Sequence, residues 1–254
     1  MVIERERRGR VEILAIARPE ARNAVSGEVA QGIEAAIDDL EADDDVWAVV
    51  VTGRGPVFSA GADLKAIAAG RGVELMTKRG GFGGITQRDF PKPLIAAVNG
   101  PALAGGFEIV LSCDLVVAAD DAVFGLPEVK RGLFAAAGGL LRLPKRVPLA
   151  LATELAITGD TIDADRARAL GLVNRVVPRE QVLDEALALA GRIAENAPLS
   201  VRNSLRMVRE AGDLSEQDAW KRSGELAGEV GRSNDAIEGA TAFAEKRKPN
   251  WTGT

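Results

Sequence analysis

The chain contains neither histidine nor tyrosine among its 254 residues. Because histidine is absent, Ser-His-Asp and Cys-His nucleophilic centres are excluded, and so is any metal site with histidine ligands. Proton transfer must therefore depend on carboxylates or, as an alternative, on lysine. We accordingly predict no metal site and assign any acid–base role to glutamate or aspartate side chains.

Cysteine is almost absent as well, since Cys113 is the only one. A single cysteine excludes a disulfide within the chain and is typical of a reducing compartment. No apolar run approaches the length that spans a membrane, and residues 1–8 lack the apolar centre of a signal peptide. We therefore expect a cytoplasmic protein with no membrane partner.

The chain also lacks a surplus of basic residues, because 32 Lys and Arg stand against 37 Asp and Glu, a net charge of −5. Nucleic acid is therefore not expected as a partner, since binding it requires cations that neutralise phosphates. Local arginines and lysines could still bind a small polyanion. The length is sufficient for one complete hydrophobic core.

One glycine-containing stretch indicates where chemistry could take place. The apolar residues 94–98 predict a buried strand, and Gly105 and Gly106 then begin a helix. The first amides of a helix lack an acceptor within it, and the helix dipole suits them to an anion or a developing oxyanion. Glu108 lies one turn further on the same face. Its carboxylate can serve chemistry beside a carbonyl group or simply complement the dipole.

A second stretch has matching properties. Residues 46–52 predict another buried strand, and Phe58-Ser-Ala-Gly-Ala-Asp-Leu-Lys65 leads from it into a helix, with Asp63 as its N-cap. The small residues allow a substrate to approach the backbone, which predicts that the N–H of Ala60 is free. We therefore predict an oxyanion hole formed by the N–H groups of Ala60 and Gly105.

The alternation of strands and helices in the first part predicts an α/β fold, and the pattern from residue 178 onward is helical. The motifs Phe58-Ser-Ala-Gly-Ala-Asp-Leu, Asn99-Gly-Pro-Ala-Leu-Ala-Gly-Gly-Phe-Glu108 and Phe124-Gly-Leu-Pro-Glu128 resemble the crotonase, or enoyl-CoA hydratase/isomerase, superfamily. The resemblance extends over residues 11–251. It implies a crotonase (ClpP-like) fold of stacked ββα units that form a spiral core, with an all-helical C-terminal region.

The resemblance also implies a division of the chain and an assembly. Residues 1–195 are expected to form the spiral α/β core with the CoA-thioester site, and residues 196–254 a helical trimerisation region. The assembly would be a homotrimer, or two trimers paired into a hexamer. Residues 68–89 contain six glycines, which predicts a mobile segment above the acyl pocket.

The function that the resemblance implies is hydration or dehydration of a 2-enoyl-CoA thioester by a lyase of fatty acid metabolism. Glu108 and Glu128 match the family's two catalytic glutamates, although Glu128 alone would be interpreted as a surface carboxylate. Glu128 is assigned to proton transfer at C2 and Glu108 to activation of water. Two alternatives stay open: a Δ3,Δ2-enoyl-CoA isomerase that uses Glu128, and an acyl-CoA-binding relative without turnover.

Coenzyme A is expected as part of the substrate, and no permanently bound cofactor is predicted. The positions that match the family's contacts to CoA are Arg22, Ala24, Ala60, Ala62, Asp63, Leu64 and Gly105, with Lys246 reaching CoA phosphate across a subunit interface.

One loop departs from the hydratase pattern. Hydratases usually carry a Pro-Gly pair after the second glutamate, whereas this chain has Leu133-Phe-Ala-Ala-Ala137. The N–H of Ala136 is expected to remain available to a water molecule, in a narrower pocket. Together with Gly139-Leu-Leu-Arg-Leu-Pro144, the loop resembles the carnitinyl-CoA dehydratase-like branch. That resemblance implies an acyl group other than a straight fatty chain.

Overall fold

The computed structural model describes residues 2–254. The predicted core of residues 1–195 begins at Met1, which lies outside the described residues. Eleven strands form within these residues. They are β1 (Ile3–Arg8), β2 (Val11–Ile16), β3 (Ala48–Gly53), β4 (Met76–Thr77), β5 (Gly81–Phe82), β6 (Leu94–Val98), β7 (Ala102–Leu103), β8 (Leu115–Ala119), β9 (Val123–Gly125), β10 (Thr161–Asp163) and β11 (Arg175–Val177).

Ten α-helices accompany the strands in the same described range. They are α1 (Gly27–Ala42), α2 (Leu64–Ala68), α3 (Gly105–Ser112), α4 (Gly139–Arg146), α5 (Leu149–Thr158), α6 (Ala164–Ala169), α7 (Val182–Ala194), α8 (Pro198–Glu210), α9 (Glu216–Gly231) and α10 (Asn234–Glu245). Short 3-10 helices add single turns, including the one at Pro127–Arg131.

The core is a sheet of six strands in the order β1-β2-β3-β6-β8-β11. β1 pairs antiparallel with β2, and the other neighbours pair parallel. β3 and β6 are buried along their whole length, as expected of parallel strands that are covered on both faces. The prediction of an α/β fold is therefore confirmed, and so is the strand at residues 94–98.

A smaller sheet of three strands, in the order β10-β9-β7, lies at the carboxyl end of the large sheet. β7 follows directly after β6, and α3 follows directly after β7. In parallel sheets the carboxyl ends of the strands are where ligands bind. The fold therefore places the start of α3 at the edge where a functional site is expected.

The edge strand β1 has no counterpart among the predicted strands. Five of its six residues are exposed, so the strand carries little apolar pattern that could reveal it. Its arginines pair with β2 instead: Arg5 and Arg7 lie 3.0 and 2.6 Å from the buried carboxylate of Glu12. The backbone pairing with β2 and these ion pairs hold the strand in the sheet, and hydrophobic periodicity reports neither.

The prediction of a mobile segment is wrong for residues 80–86. These residues are buried, and residues 76–82 form the β4–β5 hairpin. An added Cβ on Gly84 would lie 2.3 Å from the carbonyl oxygen of Ala30 on α1. The glycines therefore allow a close approach between two backbones, whereas the sequence alone could not distinguish close approach from mobility.

The chain after residue 196 is helical in the structure, with α8, α9 and α10. Trp220 and Phe243 on these helices are 73% and 87% exposed in the single chain. The assignment of residues 196–254 to trimerisation stays a prediction. No helix among residues 2–254 combines the length and apolarity that crossing a membrane requires.

Asn23 connects the turn before α1 to the loop after β3. Its Nδ2 donates to the carbonyl oxygens of Arg54 and Val57 at 2.8 and 2.6 Å, and its Oδ1 accepts from the Arg18 amide at 2.9 Å. The residue is fully buried and has a φ of 53°. Asparagine tolerates this left-handed conformation better than alanine does.

We expect Asn23→Ala to lower the free energy of unfolding by about 2–4 kcal/mol, because three part-buried backbone groups lose the hydrogen bonds that the buried side chain makes. Urea unfolding measures the loss. The control is Asn250→Ala at an exposed position, which should change stability by less than about 0.5 kcal/mol. Equal stability of the two variants would contradict the assigned role of Asn23.

Candidate active site

The two glycine-containing stretches lie side by side. The Phe58 amide donates to the Pro101 carbonyl at 3.1 Å, and the Leu103 amide donates to the Ser59 carbonyl at 3.0 Å. This pairing brings Gly61 against Gly105, such that an added Cβ on Gly61 would lie 2.7 Å from the Gly105 nitrogen. Gly61 also has a φ of +86°, so close approach and conformation both favour glycine there.

The predicted free amide at Ala60 is wrong. The Ala60 N–H donates to the carbonyl oxygen of Arg22 at 3.0 Å. It is therefore engaged inside the protein and does not point into the cleft. The acceptor is 38 positions earlier in the chain (60 − 22 = 38), and no local pattern reports this pairing.

Ala62, two residues further on, has the free amide instead. Val25 pairs with the residues on either side: its N–H donates to the Gly61 carbonyl at 2.8 Å, and its carbonyl accepts from the Asp63 amide at 2.9 Å. The Ala62 N–H faces away from this pairing and has no acceptor within residues 2–254. Ala62 also lines the cleft, so an amide is available two residues beyond the predicted one.

The Gly105 amide is likewise without an acceptor in the described chain, as expected at the first residue of a helix. The residue before it, Ala104, has φ 51° and ψ −130°. A non-glycine residue there is strained by about 1–3 kcal/mol and persists only where its surroundings hold it. Ala104 is held by its amide, which donates to the Gly125 carbonyl on β9 at 2.9 Å.

Glu108 lies on the buried face of α3 and is 3% exposed. Its Oε1 accepts from the Gly139 amide at 2.8 Å. Burial raises the pKa of Glu108, while the amides of Gly139 and Ala137 and the charge of Arg142 act in the opposite direction. The carboxylate is thus buried but supplied with donors that favour its ionised form.

Glu128 lies in the 3-10 turn Pro127–Arg131 and is 8% exposed. The interpretation of an isolated surface carboxylate does not apply, since the side chain points into the protein. Its Oε2 is buried and has no hydrogen-bond partner within the described residues. Burial, together with the nearby charge of Glu108, raises the pKa of Glu128 to about 7. Glu128 is therefore substantially protonated near neutral pH.

The loop after Glu128 differs from the prediction at one amide. The N–H of Ala136 donates to the Phe134 carbonyl at 2.8 Å, so the expectation that it stays available to water is wrong. The loop's contribution to the site comes from the next residues. Gly139 and Ala137 direct their amides to Glu108.

One cleft of about 980 Å³ contains both glutamates and both free amides. All seven same-chain positions expected at the CoA group line it: Arg22, Ala24, Ala60, Ala62, Asp63, Leu64 and Gly105. Asp63 is also the N-cap of α2, where it accepts from the Lys65 and Ala66 amides at 3.1 and 3.4 Å. Lys246 does not line the cleft of its own chain, and its reach into another subunit stays a prediction.

Sequence reasoning missed several residues that line the cleft. Four of them carry positive charge: Arg18, Lys65, Lys130 and Arg131. Arg18 already forms an ion pair within the chain, because its guanidinium lies 3.3 Å from the Asp63 carboxylate. Phe82 was missed as well, and an added Cβ on Gly105 would lie 2.4 Å from its ring. Within residues 2–254, no group of three or more aspartate, glutamate or cysteine side chains is placed so that it could hold a metal ion.

The sequence was compared with known proteins. Residues 6–254 match the family described as "Enoyl-CoA hydratase/isomerase". Enoyl-CoA hydratase EchA19 of Mycobacterium tuberculosis is 42% identical over 252 residues, which are 97% of this chain and 94% of that protein. Carnitinyl-CoA dehydratase of Proteus mirabilis is 40% identical over 252 residues, 97% of this chain and 96% of that protein.

A solved structure shows the same architecture. The crystal structure of an enoyl-CoA hydratase from Mycobacterium tuberculosis H37Rv matches with a TM-score of 0.96 and 48% identity, over 100% of this chain and 99% of that one. The crotonase fold that the sequence predicts is therefore confirmed.

The raised pKa of Glu128 has a consequence for stability. Its folded pKa of about 7 lies above the ordinary value of 4.5, so the folded chain binds the proton more tightly than the unfolded chain does. The contribution of Glu128 to stability is therefore lost as pH rises from about 4.5 to 7, and it stays lost above that range.

We expect Glu128→Gln to stabilise the protein by about 2–3 kcal/mol at pH 8 and to have little such effect near pH 4.5, since the amide needs no proton. Thermal unfolding of both proteins at the two pH values measures the difference. Glu154→Gln, at an exposed position, serves as the control. An effect of Glu128→Gln that is the same at both pH values would contradict the assignment.

Proposed function

The chain belongs to the enoyl-CoA hydratase/isomerase family, and from this premise we propose that it adds water to a 2-enoyl-CoA thioester and catalyses the reverse elimination. The expectation of an enoyl-CoA hydratase-type lyase is confirmed at the level of the family. The observation that carries the finer proposal is the grouping in one cleft. Two buried carboxyl groups with unequal surroundings lie beside two amides without acceptors.

The thioester carbonyl oxygen would accept from the amides of Ala62 and Gly105. This pair replaces the predicted pair of Ala60 and Gly105, because the Ala60 amide is engaged by Arg22. As a nucleophile adds to C3 of the enoyl group, negative charge develops on the thioester oxygen. Donors already aimed at that oxygen stabilise the charge without reorganising, and losing one such donor reduces rates by about 10²–10³-fold.

The two glutamates would divide the proton transfers. Glu108, whose Oε1 accepts from the Gly139 amide, is the carboxylate held in its ionised form, and it removes a proton from the water that bonds to C3. Glu128, with a pKa of about 7, carries the proton that forms the new C–H bond at C2. A proton then returns from Glu108 to Glu128, and the enzyme regains its starting state.

The charges around the cleft suit a CoA thioester as the substrate. Arg18, Arg22 and Lys65 lie near the segment that carries Ala62, so cations are available to the phosphates of CoA beside the proposed oxyanion hole. The proposed CoA contacts are therefore Arg22, Ala24, Ala62, Asp63, Leu64 and Gly105, with Lys246 contributed by a neighbouring subunit.

The assay is the loss of conjugated enoyl-thioester absorbance with a panel of 2-enoyl-CoA substrates. We expect Glu108→Gln and Glu128→Gln each to reduce kcat by about 10²–10⁴-fold, because each removes one proton-transfer group. Glu20→Gln, which alters an exposed carboxylate at the cleft rim, should retain the wild-type kcat. Full activity of either active-site variant would contradict its role.

Incorporation of oxygen from ¹⁸O-labelled water into the product distinguishes hydration from the isomerase alternative. Hydration places one solvent oxygen on C3, whereas movement of the double bond incorporates none. Tight binding of acyl-CoA without turnover of any enoyl substrate would instead support the binding-protein alternative.

The acyl end of the cleft has apolar walls. The hairpin β4–β5 places Met76 opposite Phe82, beside Gly105, and the loop after Glu128 adds Leu133 and Phe134. A quaternary ammonium group is held best over the face of a Trp ring, and also over Tyr or Phe rings, of which Phe82 and Phe134 line this cleft. The chain has no Tyr, and none of its Trp residues lines the cleft of the described chain. This composition supports a neutral acyl group.

We expect kcat/KM for 5,5-dimethylhex-2-enoyl-CoA to exceed that for 4-(trimethylammonio)but-2-enoyl-CoA by about tenfold or more, because burying the unpaired cation is unfavourable. The two substrates have the same shape and differ in charge, so each is the control for the other. Equal or better turnover of the cationic substrate would assign the chain to carnitinyl-type chemistry.

A further inference from the structure

Arg142 is a half-buried guanidinium beneath the catalytic cleft, on the first turn of α4. It is not among the residues that line the cleft, and the mechanism proposed above does not use it. Its side chain turns back under the loop that precedes its own helix. Its contacts there are what distinguish it from an ordinary surface arginine.

The guanidinium of Arg142 joins the two walls of the cleft. Nη2 donates to the Thr86 carbonyl at 2.6 Å, and Nη1 donates to the Ala137 carbonyl at 3.4 Å. Thr86 belongs to the first wall, since its Oγ1 donates to the Phe82 carbonyl at 3.2 Å. Ala137 belongs to the second wall, the loop after Glu128.

The loop is shaped to receive this side chain. Gly138 has a φ of +104°, and an added Cβ there would lie 2.1 Å from Nη1 of Arg142. The guanidinium thus packs directly on the Gly138 backbone, between Ala137 and Gly139. These two flanking residues supply the amides directed at Glu108.

Within the described residues, no carboxylate forms an ion pair with the guanidinium of Arg142. Its titratable neighbours are Arg146, Glu108 and Cys113, and within residues 2–254 it forms hydrogen bonds only to backbone carbonyls. Among these neighbours Glu108 is the one carboxyl group, so it is the carboxylate whose ionisation Arg142 influences. Arg142 lowers the pKa of Glu108 against the effect of burial, and it is not among the causes that shift the pKa of Glu128.

We propose that Arg142 is a positioning residue for the reaction: its fork holds residues 137–139, which direct two amides at Glu108, against the wall that carries Phe82. Its charge also favours the ionised form of Glu108. Arg142 thereby helps make the two glutamates unequal, one a base and the other an acid. This inference rests on the proposed function for its effect on turnover. Its effect on the ionisation of Glu108 is independent of any substrate.

The test uses Arg142→Met, which removes the charge, and Arg142→Lys, which keeps the charge but cannot bridge two carbonyls with a planar fork. In Arg142→Met we expect kcat to fall by about 10–100-fold and the acidic limb of the kcat–pH profile to move to higher pH, because Glu108 becomes a weaker acid. In Arg142→Lys we expect a loss of kcat of about tenfold with the limb near its wild-type position. KM should change less than about threefold in both, because CoA is held elsewhere.

The matched control is Arg146→Met, one turn further on the same helix. Arg146 is also half-buried, and its Nη2 donates to the Cys113 carbonyl at 2.7 Å, away from residues 137–139. Arg146→Met should leave the acidic limb unchanged. Circular dichroism checks folding, and Arg142→Gln replaces Arg142→Met if the latter does not fold.

A titration of ¹³C-labelled glutamate carboxyl groups by NMR, with Glu108 assigned from Glu108→Gln, gives a second readout without turnover. A higher pKa of Glu108 in Arg142→Met supports the inference even if no enoyl-CoA is hydrated, in which case only the proposed function fails. Turnover by the wild type with an unshifted limb and an unshifted Glu108 titration in Arg142→Met would overturn the inference. Wild-type kcat in Arg142→Lys would overturn the bridging role.

Discussion

The close approach of two backbone segments, residues 58–63 and residues 101–106, is the constraint on which the site depends. An added Cβ on Gly106 would lie 2.2 Å from the Ser59 carbonyl oxygen, and one on Gly61 would lie 2.7 Å from the Gly105 nitrogen. Neither glycine can be replaced without separating the segments. Their contact brings the amides of Ala62 and Gly105 to one cleft, so it determines where any bound carbonyl oxygen can be stabilised.

The second requirement is that two buried carboxyl groups in one cleft behave differently. Burial raises the pKa of both Glu108 and Glu128. The difference arises from the loop after Glu128, which folds back so that Gly139 donates to Glu108 and leaves Oε2 of Glu128 without a partner. Backbone donors and a nearby guanidinium thus favour a base on α3. Glu128 has only its own amide as a donor and no guanidinium among the groups that shift its pKa, which favours an acid on the 3-10 turn.

The sequence predicted what depends on local pattern and missed what depends on distant pairing. The apolar run at residues 94–98 and the glycine-opened helix after it were sufficient to locate Gly105 and Glu108. The choice between Ala60 and Ala62 depends on Arg22 and Val25, and the amide of Ala136 is consumed by the carbonyl of Phe134. β1 was missed because its side chains face solvent. The glycines at residues 80–84 predicted mobility, and in the structure they allow dense packing.

The groups that stabilise the thioester oxygen and the groups that surround the acyl chain lie on different segments, which bears on how the substrate can vary within one family fold. The amides of Ala62 and Gly105 are fixed by pairing among backbones, whereas the acyl walls are side chains on the β4–β5 hairpin and on the loop after Glu128. Changes at Phe82 or Phe134 therefore alter the space for the acyl group without moving the donors. Changes in the glycines alter the donors themselves. Substrate choice and oxyanion stabilisation thus lie on different parts of the chain, which permits the first to change while the second is kept.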